Sequence, residues 1–201
     1  MVLLILIATI GLSLLAFQNH SFYEKALFRP YLIKHSNEWW RWISGGFIHQ
    51  DHMHLIVNML SFYFFADYVM QHFNYISNNN TGLLFLLYYL SALVMSSMYS
   101  YYKHQNNYGY AALGASGAVS SIIFTYILLA PLNSIYLYYV IKIPAWLFGI
   151  LYLYYEYAMG KRQMDNIGHD AHFFGAVYGL IMPIIIHPQT AIDFVKNFIN
   201  I

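Results

Sequence analysis

A serine flanked by small residues lies in the middle of this chain, in the sequence Gly114-Ala115-Ser116-Gly117. A serine hydroxyl is a weak nucleophile until a neighbouring base takes its proton. Small flanking residues leave room for the backbone of a substrate to approach. At the start of a helix the hydroxyl also lies beside unpaired N–H groups, which favour a developing negative charge. These four residues are therefore a candidate site for a nucleophilic serine.

Two histidines that could act as the base of such a serine follow at His169 and His172. Only His172 has glycines three and seven positions later, at Gly175 and Gly179. These glycines make a smooth helix face that could approach the helix of the serine closely. We therefore prefer His172 as the base and keep His169 as its rival. Asp170 is two residues from His172 and points to a different helix face, so it is a poor third, acidic group.

A third polar segment contains His49, His52, His54 and Asn58. His54 and Asn58 are four residues apart, so they share one face of a helix. Each of the three segments also fits a structural role when taken alone. These roles are a polar collar at a membrane surface, close packing of small residues, and a histidine at a membrane boundary. Their joint occurrence favours a buried polar site.

The composition places these segments in a membrane protein. Hydrophobic residues make up 60% of the 201 residues and charged residues only 8%, whereas an ordinary soluble domain has about a quarter charged residues. So much apolar surface has to face lipid. The net charge of +1 produces no long-range field, so nucleic acid is excluded as a partner. The chain has no cysteine, which excludes thiol catalysis and disulfides.

Six apolar segments, each near the length needed to cross a bilayer, predict six spanning helices in a single membrane domain over residues 1–201. The predicted spans are about 2–17, 54–72, 81–102, 113–131, 144–160 and 171–187. Residues 18–50 mix aromatic rings with charges, and residues 133–143 alternate like a strand, so we expect both at the membrane interface. The second, fourth and sixth spans begin on the same side of the membrane. The three polar segments can therefore converge.

Four motifs, in this order along the chain, resemble those of the rhomboid family. In family terms they are a Trp-Arg element, a His-x-x-x-x-His-x-x-x-Asn pattern, a Gly-x-Ser-Gly motif and a His-x-x-Gly-x-x-x-Gly helix. In this chain they are matched by Glu38-Trp39-Trp40-Arg41, by His49, His54 and Asn58, by Gly114-Ala115-Ser116-Gly117, and by His172, Gly175 and Gly179. Together they cover most of residues 36–180.

The resemblance implies an all-α membrane protein with a six-helix rhomboid-like bundle that acts as an intramembrane serine endopeptidase. It implies Ser116 as the nucleophile and His172 as general base and then general acid, in a dyad without an acidic third member. It implies that His54, Asn58 and the Ser116 backbone N–H surround the oxyanion.

The resemblance also implies the partners, which are transmembrane protein substrates within a lipid bilayer. We expect no cofactor and no metal, and the compact six-span form suggests a bacterial plasma membrane. One position departs from the family pattern. Relatives often have an aromatic residue four positions after the serine, and here that residue is Ser120. Either another aromatic side chain supports His172, or its imidazole is held less firmly.

Two other functions remain as alternatives. A histidine-ligated, metal-dependent membrane protein could use His49, His52, His54, His169 and His172 as ligands. It would leave the glycines and Ser116 unexplained, and the chain lacks a helical His-Glu-x-x-His arrangement. A non-catalytic rhomboid-like membrane protein binder is the other alternative, but such proteins usually lack the serine or the histidine.

Two arguments predict opposite orientations of the chain in the membrane. Seven basic residues lie in the loops on the side of the three polar segments: Lys25, Arg29, Lys34, Arg41, Lys103, Lys161 and Arg162. The other side has mainly Lys142 and Lys196. The positive-inside rule therefore favours a cytoplasmic site, whereas the family usually faces it outward. We follow the family.

Overall fold

The computed structural model describes residues 1–77, 80–137, 140–162 and 167–199. This part of the chain is mostly helical, with one two-stranded sheet. Its helices are α1 (Val2–Gln18), α2 (His20–Ala26), α3 (Pro30–Ser36), α4 (Arg41–Ser44), α5 (His52–Ser77), α6 (Thr81–His104), α7 (Ser116–Leu129), α8 (Ala145–Arg162), α9 (His169–Ile186) and α10 (Gln189–Ile199). Its strands are β1 (Ser134–Leu137) and β2 (Ile141–Pro144).

All six predicted spans coincide with helices, which are α1, α5, α6, α7, α8 and α9. By length and composition, three described helices can cross a membrane: α5, α6 and α9. Helices α1 and α7 are apolar but shorter. The all-α membrane fold is thus confirmed, and the number of six spans stays a prediction.

The segment predicted to lie at the interface, residues 18–50, folds into the short helices α2, α3 and α4. Arg41 of α4 is buried and links α4 to the end of α2 and to the segment that follows α3. Its guanidinium donates to the Glu38 carboxylate at 2.6 Å and to the backbone carbonyl oxygens of Leu27 and Glu24 at 2.7 and 3.0 Å. A planar group with five N–H donors can satisfy several acceptors at once, so arginine suits this position.

The segment with the strand-like alternation forms a hairpin. Strands β1 and β2 pair antiparallel, with Ser134 opposite Pro144 and Ile135 opposite Ile143. The hairpin connects α7 to α8 and thereby sets where α8 begins. The amphipathic helix α10 was not predicted. It packs against α7 and α9 and leaves Ile192 exposed.

The core lies between α5, α6 and α7, where Phe62, Phe85 and Tyr89 are fully buried. Helix α9 packs along α7 and α6, and α8 packs against the outer side of α9. The outward faces stay apolar, as Leu3 and Ile7 of α1 illustrate. This is the surface expected where lipid replaces water.

Candidate active site

Ser116 is the first residue of α7 and lies beside His54 of α5. The preceding Gly114 has φ of +110°, a conformation that side chains other than glycine rarely adopt. A Cβ built on Gly114 would lie 2.8 Å from Cε1 of His54 and 3.8 Å from Oγ of Ser116. Glycine is therefore required at position 114 for two reasons. The backbone there has a positive φ, and any side chain would collide with His54.

His49 is fully buried and joins three parts of the chain behind the site. Its Nε2 accepts from the Ala115 N–H at 3.4 Å, and its Nδ1 lies 2.9 Å from Oγ of Ser13 on α1. With Nε2 as the acceptor, Nδ1 carries the hydrogen and donates to Ser13. Burial lowers the pKa of His49 to about 4, so the ring is neutral at physiological pH. It packs edge-on against His54, with ring centroids 4.9 Å apart.

Asn58 lies one turn after His54 on α5 and is buried. Its amide nitrogen donates to the backbone oxygen of His54 at 2.9 Å. A side-chain amide has two N–H donors, so this bond uses one of them. The expected role of Asn58 at an oxyanion depends on its second N–H donor.

Two glycines bring α9 into direct backbone contact with α7. A Cβ on Gly175 would overlap the carbonyl oxygen of Gly117, and one on Gly179 would overlap that of Ser121. We call this contact the glycine seam. It places the start of α9, with His172, beside the start of α7.

His172 lies in the first turn of α9, and its side chain is 16% exposed. The carbonyl oxygen of the preceding Ala171 lies 3.4 Å from the position of a Cβ built on Gly117, next to Ser116. The described residues include no hydrogen bond between Oγ of Ser116 and the His172 ring. Bonds between a nucleophile and its base are often long before substrate binds. The starts of α5 and α9 thus both lie against the start of α7, and no hydrogen bond joins Ser116 to His172 among the described residues.

An acidic side chain that sequence reasoning missed lies at His172. Glu156 of α8 is only 4% exposed, and its Oε1 is 3.2 Å from Nδ1 of His172. Its Oε2 is 2.5 Å from Nδ1 of His169, the rival base. The resemblance implied a dyad without an acidic third member, whereas the structure has a carboxylate within hydrogen-bonding distance of His172. Asp170 instead pairs with Lys103 at 2.8 Å, in agreement with its expected direction away from His172.

A signal for Glu156 was present in the sequence. It is the only acidic residue between Pro144 and Gly160, the predicted fifth span. An ionisable residue within a span usually faces the bundle interior and has a partner. The partner could not be identified, because it belongs to another helix.

Ser120, which lies where relatives often have an aromatic residue, has a partner on α8. Its Oγ is hydrogen-bonded to the hydroxyl of Tyr152 at 2.7 Å. Tyr152 comes from α8, packs against Phe124, and lies one turn before Glu156. Tyr152 is thus an aromatic side chain close to Ser120, and among the described residues the only ring in contact with that of His172 belongs to His169.

One cluster of potential metal ligands occurs among the described residues. One ligand atom from each of Glu156, His169 and His172 lies within 4.8 Å of the others. Carboxylate and imidazole groups can bind Zn²⁺. His52 is not part of this cluster, because its ring packs against Phe17 at 4.5 Å. The five-histidine ligand set considered from the sequence is therefore not assembled.

Comparison with known proteins agrees with the motifs. A family model described as the Rhomboid domain matches residues 36–189, which is more than half of the chain. The chain is also similar to RHOMBOID-like protein 12, mitochondrial, of Arabidopsis thaliana, with 29% identity over 149 residues. That alignment covers 69% of this chain and 44% of the relative, so the chain spans less than half of the relative's length. The comparisons give no support to a bacterial plasma membrane. The chain belongs to the rhomboid family.

Proposed function

We propose that this chain is an intramembrane serine endopeptidase that hydrolyses peptide bonds in or near the transmembrane segments of membrane proteins. Ser116 is the nucleophile, and His172 is the general base and then the general acid. The observation that carries the proposal is the meeting of three helix starts. His54 borders Ser116 at Gly114, and the glycine seam brings His172 to the same end of α7.

In the proposed reaction, His172 takes the proton of Ser116 as Oγ attacks the carbonyl carbon of the scissile bond. The carbonyl oxygen becomes an oxyanion that accepts from the Ser116 N–H, from Asn58 and from a protonated nitrogen of His54. The first N–H groups of a helix have no partner within it, so that of Ser116 can serve this role. His172 then gives its proton to the leaving amine, and water hydrolyses the acyl-enzyme by the same steps.

The substrates are transmembrane proteins that reach the site from the lipid. The exposed apolar faces of the helices support this class, because they place the whole bundle in the same phase as a substrate helix. Hydrolysis also requires water at Ser116. The end of the bundle that carries Ser116 has polar side chains, such as His54 and Asn58, that can hydrogen-bond to water.

Cleavage of a fluorescent single-span substrate by the purified protein in liposomes tests the proposal. We expect Ser116→Ala and His172→Ala to reduce turnover to background, because each removes one half of the dyad. His169→Gln should retain measurable turnover, because the ring of His169 is not the base. Asp170→Asn serves as the control and should behave like the wild type. Equal turnover by Ser116→Ala and the wild type would contradict a serine mechanism.

The cluster of Glu156, His169 and His172 favours one other candidate function, a metal-dependent hydrolase. A metal chelator and a fluorophosphonate inhibitor separate the two. A serine protease keeps its activity in the chelator and loses it to the inhibitor, whereas a metal-dependent enzyme responds in the opposite way. Failure of the wild type to cleave any of several single-span substrates would instead favour a non-catalytic membrane protein binder.

A further inference from the structure

Glu156 is a buried carboxylate in a helix whose surroundings are apolar. An ionised carboxylate in such surroundings is costly unless it is paired and hydrogen-bonded. Each of its two oxygens has a histidine partner, His169 at 2.5 Å and His172 at 3.2 Å. The pairing explains how Glu156 is tolerated, and it also constrains the two imidazoles.

The contact fixes which nitrogen of His172 can act as a base. An ionised carboxylate only accepts hydrogen bonds, so the nitrogen that faces it, Nδ1, carries the hydrogen. The other nitrogen, Nε2, is then free to accept a proton. A carboxylate at one imidazole nitrogen sets the tautomer and the ring orientation at the other.

The carboxylate is itself held by a second histidine. His169 binds Oε2 at the start of α9. Tyr152, one turn before Glu156 on α8, is hydrogen-bonded to Ser120 of α7. Asp170, the acid next to His172 in the sequence, is occupied by Lys103. Among the described acidic side chains, Glu156 is therefore the one placed to act on His172.

We infer that Glu156 is a positioning residue for His172, which makes the proposed dyad a three-residue arrangement. This inference rests on the proposed function. When Oγ of Ser116 bonds to the carbonyl carbon, its proton moves to Nε2 of His172, and the hydrogen on Nδ1 stays bonded to Glu156. The imidazolium then lies against a carboxylate until Nε2 passes its proton to the leaving amine. No proton is transferred to Glu156 in this sequence.

The test measures kcat and KM separately for the wild type, Glu156→Gln and Glu156→Asp in liposomes. We expect Glu156→Gln to lower kcat by about 10- to 100-fold, the range known for lost partners of metal-bound histidines, with KM little changed. Glu156→Asp keeps the charge with a shorter side chain and should recover part of kcat. Asp170→Asn removes a neighbouring carboxylate that does not contact His172, so its kcat should match the wild type.

A second measurement separates positioning from folding. The rate at which a fluorophosphonate labels Ser116, taken per folded protein after size-exclusion chromatography, should fall in Glu156→Gln along with kcat. A wild-type labelling rate in the folded fraction would overturn the inference, and so would equal kcat values for the Gln and Asp variants. Loss of wild-type activity in a chelator with recovery in Zn²⁺ would also overturn it, because the three side chains would then be a metal centre.

Different results would contradict the inference and the proposed function. If the wild type cleaves, Ser116→Ala does not, and Glu156→Gln has wild-type kcat, only the role of Glu156 is wrong. If the wild type does not cleave, or Ser116→Ala cleaves equally well, the proposed function is wrong and the inference fails with it.

Discussion

At the level of single residues, His49 is the group whose protonation bears most directly on the structure around the site. Burial lowers its pKa from the ordinary value of 6.5 to about 4. The unfolded chain therefore takes up a proton below pH 6.5 that the folded chain does not. The stability that depends on neutral His49 is complete above pH 6.5 and is lost as the pH falls towards 4. The loss amounts to at most about 3 kcal/mol.

We expect the thermal unfolding midpoint of the protein in detergent to fall between pH 6.5 and pH 4. His49→Gln should have a lower midpoint at pH 7, because Ser13 and the Ala115 N–H lose a partner, and a flatter pH dependence below it. His20→Gln is the control, because His20 is exposed, and its curve should follow the wild type. Parallel curves for His49→Gln and the wild type would exclude this role of His49.

The candidate site shows which residue-level features can be inferred without a structure. Ser116, His54 and His172 could be chosen as candidates because glycines and polar groups recur around them at helical spacing. The contact between Glu156 and His172 was not, because it depends on the rotation of α8 about its own axis. An apolar, tyrosine-rich sequence on nearly every face of α8 does not reveal that rotation.

At the level of helices, the glycine seam is the contact that brings the start of α9, with His172, to the start of α7. The backbones of α7 and α9 touch there, so an added methyl group has no flexible side chain to displace. Overpacking of this kind typically costs about 1–3 kcal/mol.

We expect Gly175→Ala and Gly179→Ala to lower the free energy of unfolding by about 1–3 kcal/mol and to reduce turnover as α9 moves away from α7. Gly11→Ala in α1 is a matched control, because a Cβ at Gly11 meets nothing within 4 Å. Alanine is a better helix former than glycine, so this variant should be as stable as the wild type or slightly more stable. Unfolding in a denaturant series, followed by tryptophan fluorescence, provides the measurement. Unchanged stability in both seam variants would contradict the packing argument.

Helix positions were more predictable than helix ends. Long apolar runs predicted the location of every long helix, because the requirement to bury or shield backbone groups in lipid acts along the whole run. Helix α5 extends beyond its predicted span of 54–72 to His52–Ser77, since polar residues can continue a helix outside the apolar layer. Helix α7 is shorter than 113–131, because Gly114 has positive φ and Ala130 leaves the helical conformation before Pro131. The short helices within 18–50 depend on the contacts of Arg41, which a linear pattern does not show.

At the level of the whole molecule, the orientation in the membrane can be measured directly because the chain has no cysteine. Following the family, we expect Asn106→Cys, on the side of Ser116, to react with a membrane-impermeant maleimide added to intact cells. Asn197→Cys in α10, at the far end of α9, should react only after permeabilisation. Both positions are exposed, so accessibility alone does not distinguish them. The reverse labelling pattern would favour the count of basic residues over the family expectation.

The glycine seam joins segments that a ribosome produces at different times. Gly117 follows Ser116 directly, whereas Gly175 lies beyond α8, in the helix that carries His172. On the proposed assignment, a growing chain has its nucleophile in the membrane while the base has still to be synthesised. The newborn protein would then be inert until α9 inserts and docks. This delay would keep it from cutting its own incomplete chain or the helices that surround it at the site of insertion.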